Sequence, residues 1–131
     1  MSIIIFPIER VIEINYIILS SEPGMKGTID VKKLDSALGR ISNHILYNGL
    51  DDVFEIAADY AASISIAHAL PDANKRTALM VALEYLSLND FEISNEKEGL
   101  ANAMVDLVLE EINISDFADI LYSLYIDQNN N

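Results

Sequence analysis

Within nine residues, His68 to Arg76 in the run HALPDANKR, the chain gathers a base, a carboxylate, an amide and two cations. His68 could take the proton of an incoming hydroxyl, because imidazole titrates near neutrality. Asp72 could hold a Mg2+ that bridges phosphate oxygens. Asn74, Lys75 and Arg76 fall in the first turn of a helix that the sequence starts at Asp72, just after Pro71. Backbone N–H groups in a first turn lack intrahelical partners, and the helix dipole adds positive potential, so a phosphate is stabilised there. Lys75 and Arg76 are the only Lys or Arg residues between Arg40 and Lys97. Cations at a helix N-terminus oppose the dipole, a placement that makes sense if an anion binds between them. Base, metal carboxylate and anion cradle together describe phosphoryl or nucleotidyl transfer. Taken singly, each piece has a plainer reading. His68 is then a helix-end histidine, Asp72 an ordinary N-cap, and Lys75–Arg76 a solvated helix end.

The elements that must position these groups read as helices throughout. Pro7 opens a first helix to about Leu19. Asp30 caps a second, with Val31, Leu34, Leu38, Ile41 and Ile45 on one face. Asp51 starts a third, whose apolar stripe of Val53, Ile56, Ala57, Tyr60, Ala61 and Ile64 is expected to end in a buried His68. The fourth helix carries no charge from Thr77 to Leu83, which places it in the centre of a bundle. A fifth, over about 95–111 and capped by Ser94 or Asn95, turns Leu100, Met104, Leu107 and Val108 inward. A sixth, capped by Ser115, uses Phe117, Ile120, Leu121, Leu124 and Tyr125. SEPGMKGT at 21–28 is the one clear loop, and FEI at 91–93 could be one arm of a hairpin. The expected fold is all-α, a compact bundle of about six helices around a buried central helix.

With 131 residues, 51% of them hydrophobic, the chain suits one domain over 1–131 with a frayed tail from about 127. The lack of cysteine excludes disulfides, a Cys-based zinc site and a Cys nucleophile. Eight basic against 21 acidic residues give a net charge of −13, which argues against nucleic acid as a direct partner and suits a basic protein partner. The apolar N-terminus lacks a basic leader region and is interrupted by Glu9, Arg10 and Glu13, so neither a secretory signal nor a membrane span is expected. The expectation is a soluble, cytoplasmic protein. His44 has no metal-type residue at ligand spacing and reads as a surface or helix-end histidine. Tyr122 and Tyr125 read as core and rim packing rather than a base-stacking platform.

HALPDANKRTAL resembles the signature of the Fic/Doc family, in particular the Doc ("death on curing") form, close to H-x-F-x-D-A-N-K-R-T-A. The match covers His68, Asp72, Ala73, Asn74, Lys75, Arg76, Thr77 and Ala78. Chain length and helix order resemble a Doc toxin over nearly the whole sequence. The resemblance implies an all-α fold with the motif in a loop between two central helices. It implies a protein kinase that passes the γ-phosphate of ATP to a threonine of the translation factor EF-Tu and so blocks translation. It also implies a small Phd-type antitoxin as partner. Carried over, His68 is the base, Asp72 the Mg2+ ligand, and Asn74, Lys75 and Arg76 the phosphate cradle. Lys75 stands where Fic enzymes, which transfer AMP instead, have the second glycine of their motif. Leu79 stands where they have a second arginine.

The sequence also departs from the pattern. Leu70 replaces the usual phenylalanine, and Ile66 and Met80 stand where Doc toxins tend to carry an arginine and an asparagine. These departures bear on the strength of the phosphate grip. They keep two other readings open, a Fic-like AMP transferase and a catalytically weak relative that acts by binding. SNEKEG at 94–99 resembles a Fic inhibitory segment, but so short a pattern recurs by chance.

Overall fold

Aspartate and asparagine caps set three of the six helix starts among the described residues. The computed structural model describes residues 3–21, 27–94 and 99–130. Among the described residues six helices follow in order: α1 (Ile8–Ser21), α2 (Val31–Tyr47), α3 (Val53–Ala67), α4 (Asn74–Leu88), α5 (Leu100–Val108) and α6 (Ile114–Asn129). No strand occurs among them, so the fold is all-α, and 91–93 is irregular chain rather than a hairpin arm.

Asp30 caps α2 by accepting from the Lys33 N–H at 3.1 Å. Asp52, not Asp51, caps α3, because its carboxylate is the one that reaches the Glu55 N–H, at 3.0 Å. Asn113, not Ser115, caps α6, through a reciprocal box with Asp116. α5 begins at Leu100 behind Gly99, whose φ of 90° glycine adopts without steric cost. Its expected start near 95, the candidate cap Asn95 and most of the SNEKEG segment lie outside the described residues, as does 22–26 of the expected loop. The N–H of Ser94, the other expected cap, donates to Gln128 Oε1 at 3.0 Å, and the turn that Ser94 would cap lies outside the described residues. α6 remains helical to Asn129, past the point where the composition suggested fraying.

α3 and α4 form the centre. α4 packs on α1, α3 and α5, as its uncharged stretch predicts, and α3 packs on α2, α4, α5 and α6. Two expected members of buried stripes are solvent-exposed. Val31 lies at the tip of α2, and His68 leaves the helical path, so the stripe of α3 ends at Ile64. Among the described residues, no helix is long and apolar enough to cross a membrane.

The extended segment before α1 is pinned across the central pair by two tyrosines. Tyr60 accepts the Phe6 N–H at 2.9 Å, and Tyr85 donates to the Ile4 carbonyl at 2.9 Å. The two rings lie 5.2 Å apart. Burial pushes the Tyr85 phenol up to about 12 and raises that of Tyr60 as well, so both stay protonated at neutral pH. Tyr60→Phe strands the buried Phe6 N–H and is expected to destabilise the protein by about 1–3 kcal/mol. In urea this appears as a lower midpoint with an unchanged slope. An unchanged midpoint would show that the segment is not held by this bond.

Candidate active site

α3 and α4 are joined by residues 68–73, and left-handed backbone stands at both ends of that loop. His68, the C-cap of α3, has φ 51° and ψ 38°; Ala73, the N-cap of α4, has φ 60° and ψ 34°. Histidine visits this region more readily than most residues, whereas alanine carries the Cβ penalty in full. Ala73 occupies the place where the Fic form of the motif has a glycine. The positive φ there supplies a physical reason for glycine at that position.

Backbone strain of this kind persists only where neighbours over-determine it, and three elements do so here. From α1, the buried Asn15 amide donates to the Asp72 carbonyl at 2.9 Å and to Thr77 Oγ1 at 3.1 Å. From the start of α2, the Asp30 N–H donates to the Ala69 carbonyl at 2.8 Å. From α4, Asn74 closes a two-way clasp on Leu70, accepting its N–H at 3.2 Å and donating to its carbonyl at 3.1 Å. Leu70 itself is buried, with 5% of its surface exposed, in the central core cluster. Leucine thus anchors the loop in the place where the motif usually has phenylalanine.

The candidate residues are brought to one loop and the helix turn that follows it, but not in the arrangement expected from sequence. α4 starts at Asn74 rather than Asp72, so Asp72 belongs to the loop. It is partly buried, and one carboxylate oxygen accepts the Ala73 N–H at 2.7 Å. Asn74 opens the first turn, but both ends of its amide are engaged by Leu70. It braces the loop with its oxygen and one amide N–H, and the second N–H of the amide is the donor that a phosphate would use. Lys75 and Arg76 follow in the same turn, both exposed. No side chain caps α4, leaving its first turn to offer backbone N–H groups and positive dipole potential beside two cations. His68 is solvent-exposed at the opposite end of the loop, where a hydroxyl on another molecule can approach it.

Asn15 was missed in the sequence, although it carried a signal. It stands four residues from both Val11 and Leu19, a lone amide on the buried face of α1. His44 does lie in the last turn of α2, and its Nδ1 is 2.8 Å from Oδ2 of Asp59, a carboxylate only 4% exposed that also accepts from Ser63 Oγ. This contact gives a buried carboxylate a hydrogen-bond partner nine residues before His68, about 13 Å along α3. Tyr122 and Tyr125 pack around Phe54 with centroids at 5.3 and 6.0 Å, as packing residues should.

An all-α chain that presents a base and a cationic helix end on one braced loop has the design of a group-transfer protein acting on phosphate-bearing substrates. Comparison with known proteins gives the family. The model described as "Fic/DOC family" matches residues 5–86. A protein described as "Protein kinase doc", from Escherichia phage P1, is 33% identical over 117 residues, which span 89% of this chain and 92% of the relative. The chain belongs to the Fic/Doc family and lies on its Doc side.

Proposed function

We propose that this protein is a Doc-like toxin kinase that transfers the γ-phosphate of ATP to a protein hydroxyl, a threonine of a translation factor such as EF-Tu, and so arrests translation in the cytoplasm. The observation that carries this reading is the uncapped start of α4 with Lys75 and Arg76 upon it, on a loop whose other end exposes His68. The name of the phage P1 relative, a protein kinase, supports the phosphoryl rather than the nucleotidyl reaction.

In this reading the first-turn N–H groups of α4, Lys75 and Arg76 hold the phosphates of ATP. His68 takes the proton of the acceptor hydroxyl as its oxygen bonds to the γ-phosphorus. The bond from that phosphorus to the bridging oxygen breaks, and ADP leaves. Asn15 and Asn74 hold the loop, and the second amide N–H of Asn74 adds a donor to the phosphate cradle. Among the described residues no cluster of three or more His, Asp or Glu side chains is placed to cage a metal ion. A single carboxylate, Asp72, fits the way Mg2+ is usually held, by one or two carboxylates with substrate phosphates completing its shell. When bound there, Mg2+ would neutralise developing phosphate charge.

A Phd-type antitoxin is the proposed protein partner. An open apolar groove of about 510 Å³ runs between α3 and the α5–α6 connection, lined by Ile66, Leu107, Ile112 and Ile114. It offers a seat for the apolar face of a helix.

The test follows the label. Purified protein, Mg2+ and a bacterial extract are incubated with ATP labelled at the γ- or the α-phosphate. Transfer from γ-labelled ATP alone is the expected result. Transfer from α-labelled ATP would make the protein an AMP transferase and show that a lysine in place of the Fic glycine does not select the reaction. No transfer from either, in an extract supplemented with EF-Tu, would leave a binding protein.

A further inference from the structure

Away from the motif, three of the chain's eight Lys and Arg residues meet on one face of α2. Lys32, Lys33, Ser36 and Arg40 line a shallow basin of about 380 Å³, and its remaining wall is Ala67, the last residue of α3. Lys32, Ser36 and Arg40 follow at intervals of four, while Lys33 lies three before Ser36, so the four side chains share a stripe. All four are exposed, and none of the three cations forms an ion pair among the described residues.

That lack of pairing is unexpected in a chain with 21 acidic residues. Lys32 and Lys33 also sit in the first turn of their helix, where the dipole disfavours cations. The position of the basin adds a third observation. Ala67 immediately precedes His68, and the Asp30 N–H at the head of α2 is bonded to Ala69 on the other side of His68. The cationic stripe and the exposed imidazole are thereby fixed together.

We infer that this basin docks an acidic segment of the acceptor protein and places a hydroxyl near that segment over His68. The inference rests on the kinase reading for the identity of the occupant, but the surface itself is defined by charge. A net charge of −13 repels polyanions at long range, so only a short acidic stretch presented at close quarters gains from three cations. A nucleic acid, whose affinity grows with many phosphate contacts, fits less well. Acceptor choice is then set by carboxylates beside the hydroxyl.

The binding test requires no transfer reaction. A fluorescein-labelled peptide of eight glutamates and one threonine is titrated with the full-length protein at low ionic strength, and its anisotropy is compared with that of the glutamine counterpart. The glutamate peptide is expected to bind about tenfold more tightly. The triple variant Lys32→Gln, Lys33→Gln, Arg40→Gln should lose that preference. A control with the same net charge, Asn102→Asp, Ser123→Asp, Asn129→Asp, should retain most of it. Equal binding of the two peptides, or equal losses in the triple variant and the control, would overturn the proposal. Preferential capture of a labelled RNA octamer over the glutamate peptide would reassign the surface to nucleic acid. With an active acceptor in hand, the triple variant should raise KM and leave kcat unchanged, and a fall in kcat alone would contradict docking. Failed label transfer with intact peptide binding would count against the kinase reading and not against the basin.

Discussion

Replacing His68 with asparagine is expected to lower the rate of transfer by about 100- to 10,000-fold, the usual contribution of a positioned general base. Asparagine is the informative choice because His68 lies in the left-handed region, with φ 51°. Asparagine tolerates that conformation, whereas alanine would add a backbone cost to the loss of the imidazole. The side chain is exposed at a helix end, so the melting temperature should hardly move. Growth arrest on expression should disappear along with transfer. A His68→Asn protein that is folded and still arrests growth would remove His68 from the chemistry. Loss of activity together with a large loss of stability would instead point to a structural role for the imidazole.

Leu70→Ala is expected to give the largest loss of stability among the loop variants. Leu70 is almost fully enclosed, and its backbone N–H and carbonyl are both held by Asn74. Truncation of a buried leucine costs about 2–5 kcal/mol, depending on how far the site collapses. At roughly 4 °C per kcal/mol, the melting temperature should fall by about 8–20 °C. Activity measured well below the new midpoint should fall too, because the anchor fixes the distance between His68 and the start of α4. Differential scanning calorimetry with transfer assays at low temperature separates the two effects. A Leu70→Ala protein with unchanged midpoint would mean that the loop is held by its hydrogen bonds alone. Full activity in a destabilised protein would mean that the loop keeps its shape without its apolar anchor.

The residues of the candidate site were legible in the sequence because they are contiguous. A base, a carboxylate and two cations within nine residues need no tertiary contact to be noticed together. The helices were legible for a similar reason, since caps and apolar spacing act over three or four residues. Errors fell where two neighbouring residues compete for the same local role. Asp51 and Asp52 are both good caps, and only the observed geometry chose Asp52. The start of α4 is a sharper case. Asp72 after Pro71 has the form of a helix start, yet the chain first turns through a left-handed Ala73, a conformation that alanine does not advertise.

The role of Asn74 shows the limit of a motif read by residue type. An amide in a first turn reads as a donor to a bound anion, but residue type does not show that its oxygen and one N–H also clasp Leu70. Asn15 shows the complementary limit. It is 57 residues from Asp72 and 62 from Thr77, so no local pattern could have linked them.

By itself the sequence determined the all-α class, the order of the helices and the location of the chemical groups, because each depends on interactions between residues close in the chain. Tertiary structure alone decided that His68 faces solvent, that Asn74 braces the loop, and that Lys32, Lys33 and Arg40 border Ala67. Those outcomes depend on how α1, α2 and α4 close around the end of α3. Packing between distant segments sets which donors are consumed internally and which are left to face a ligand.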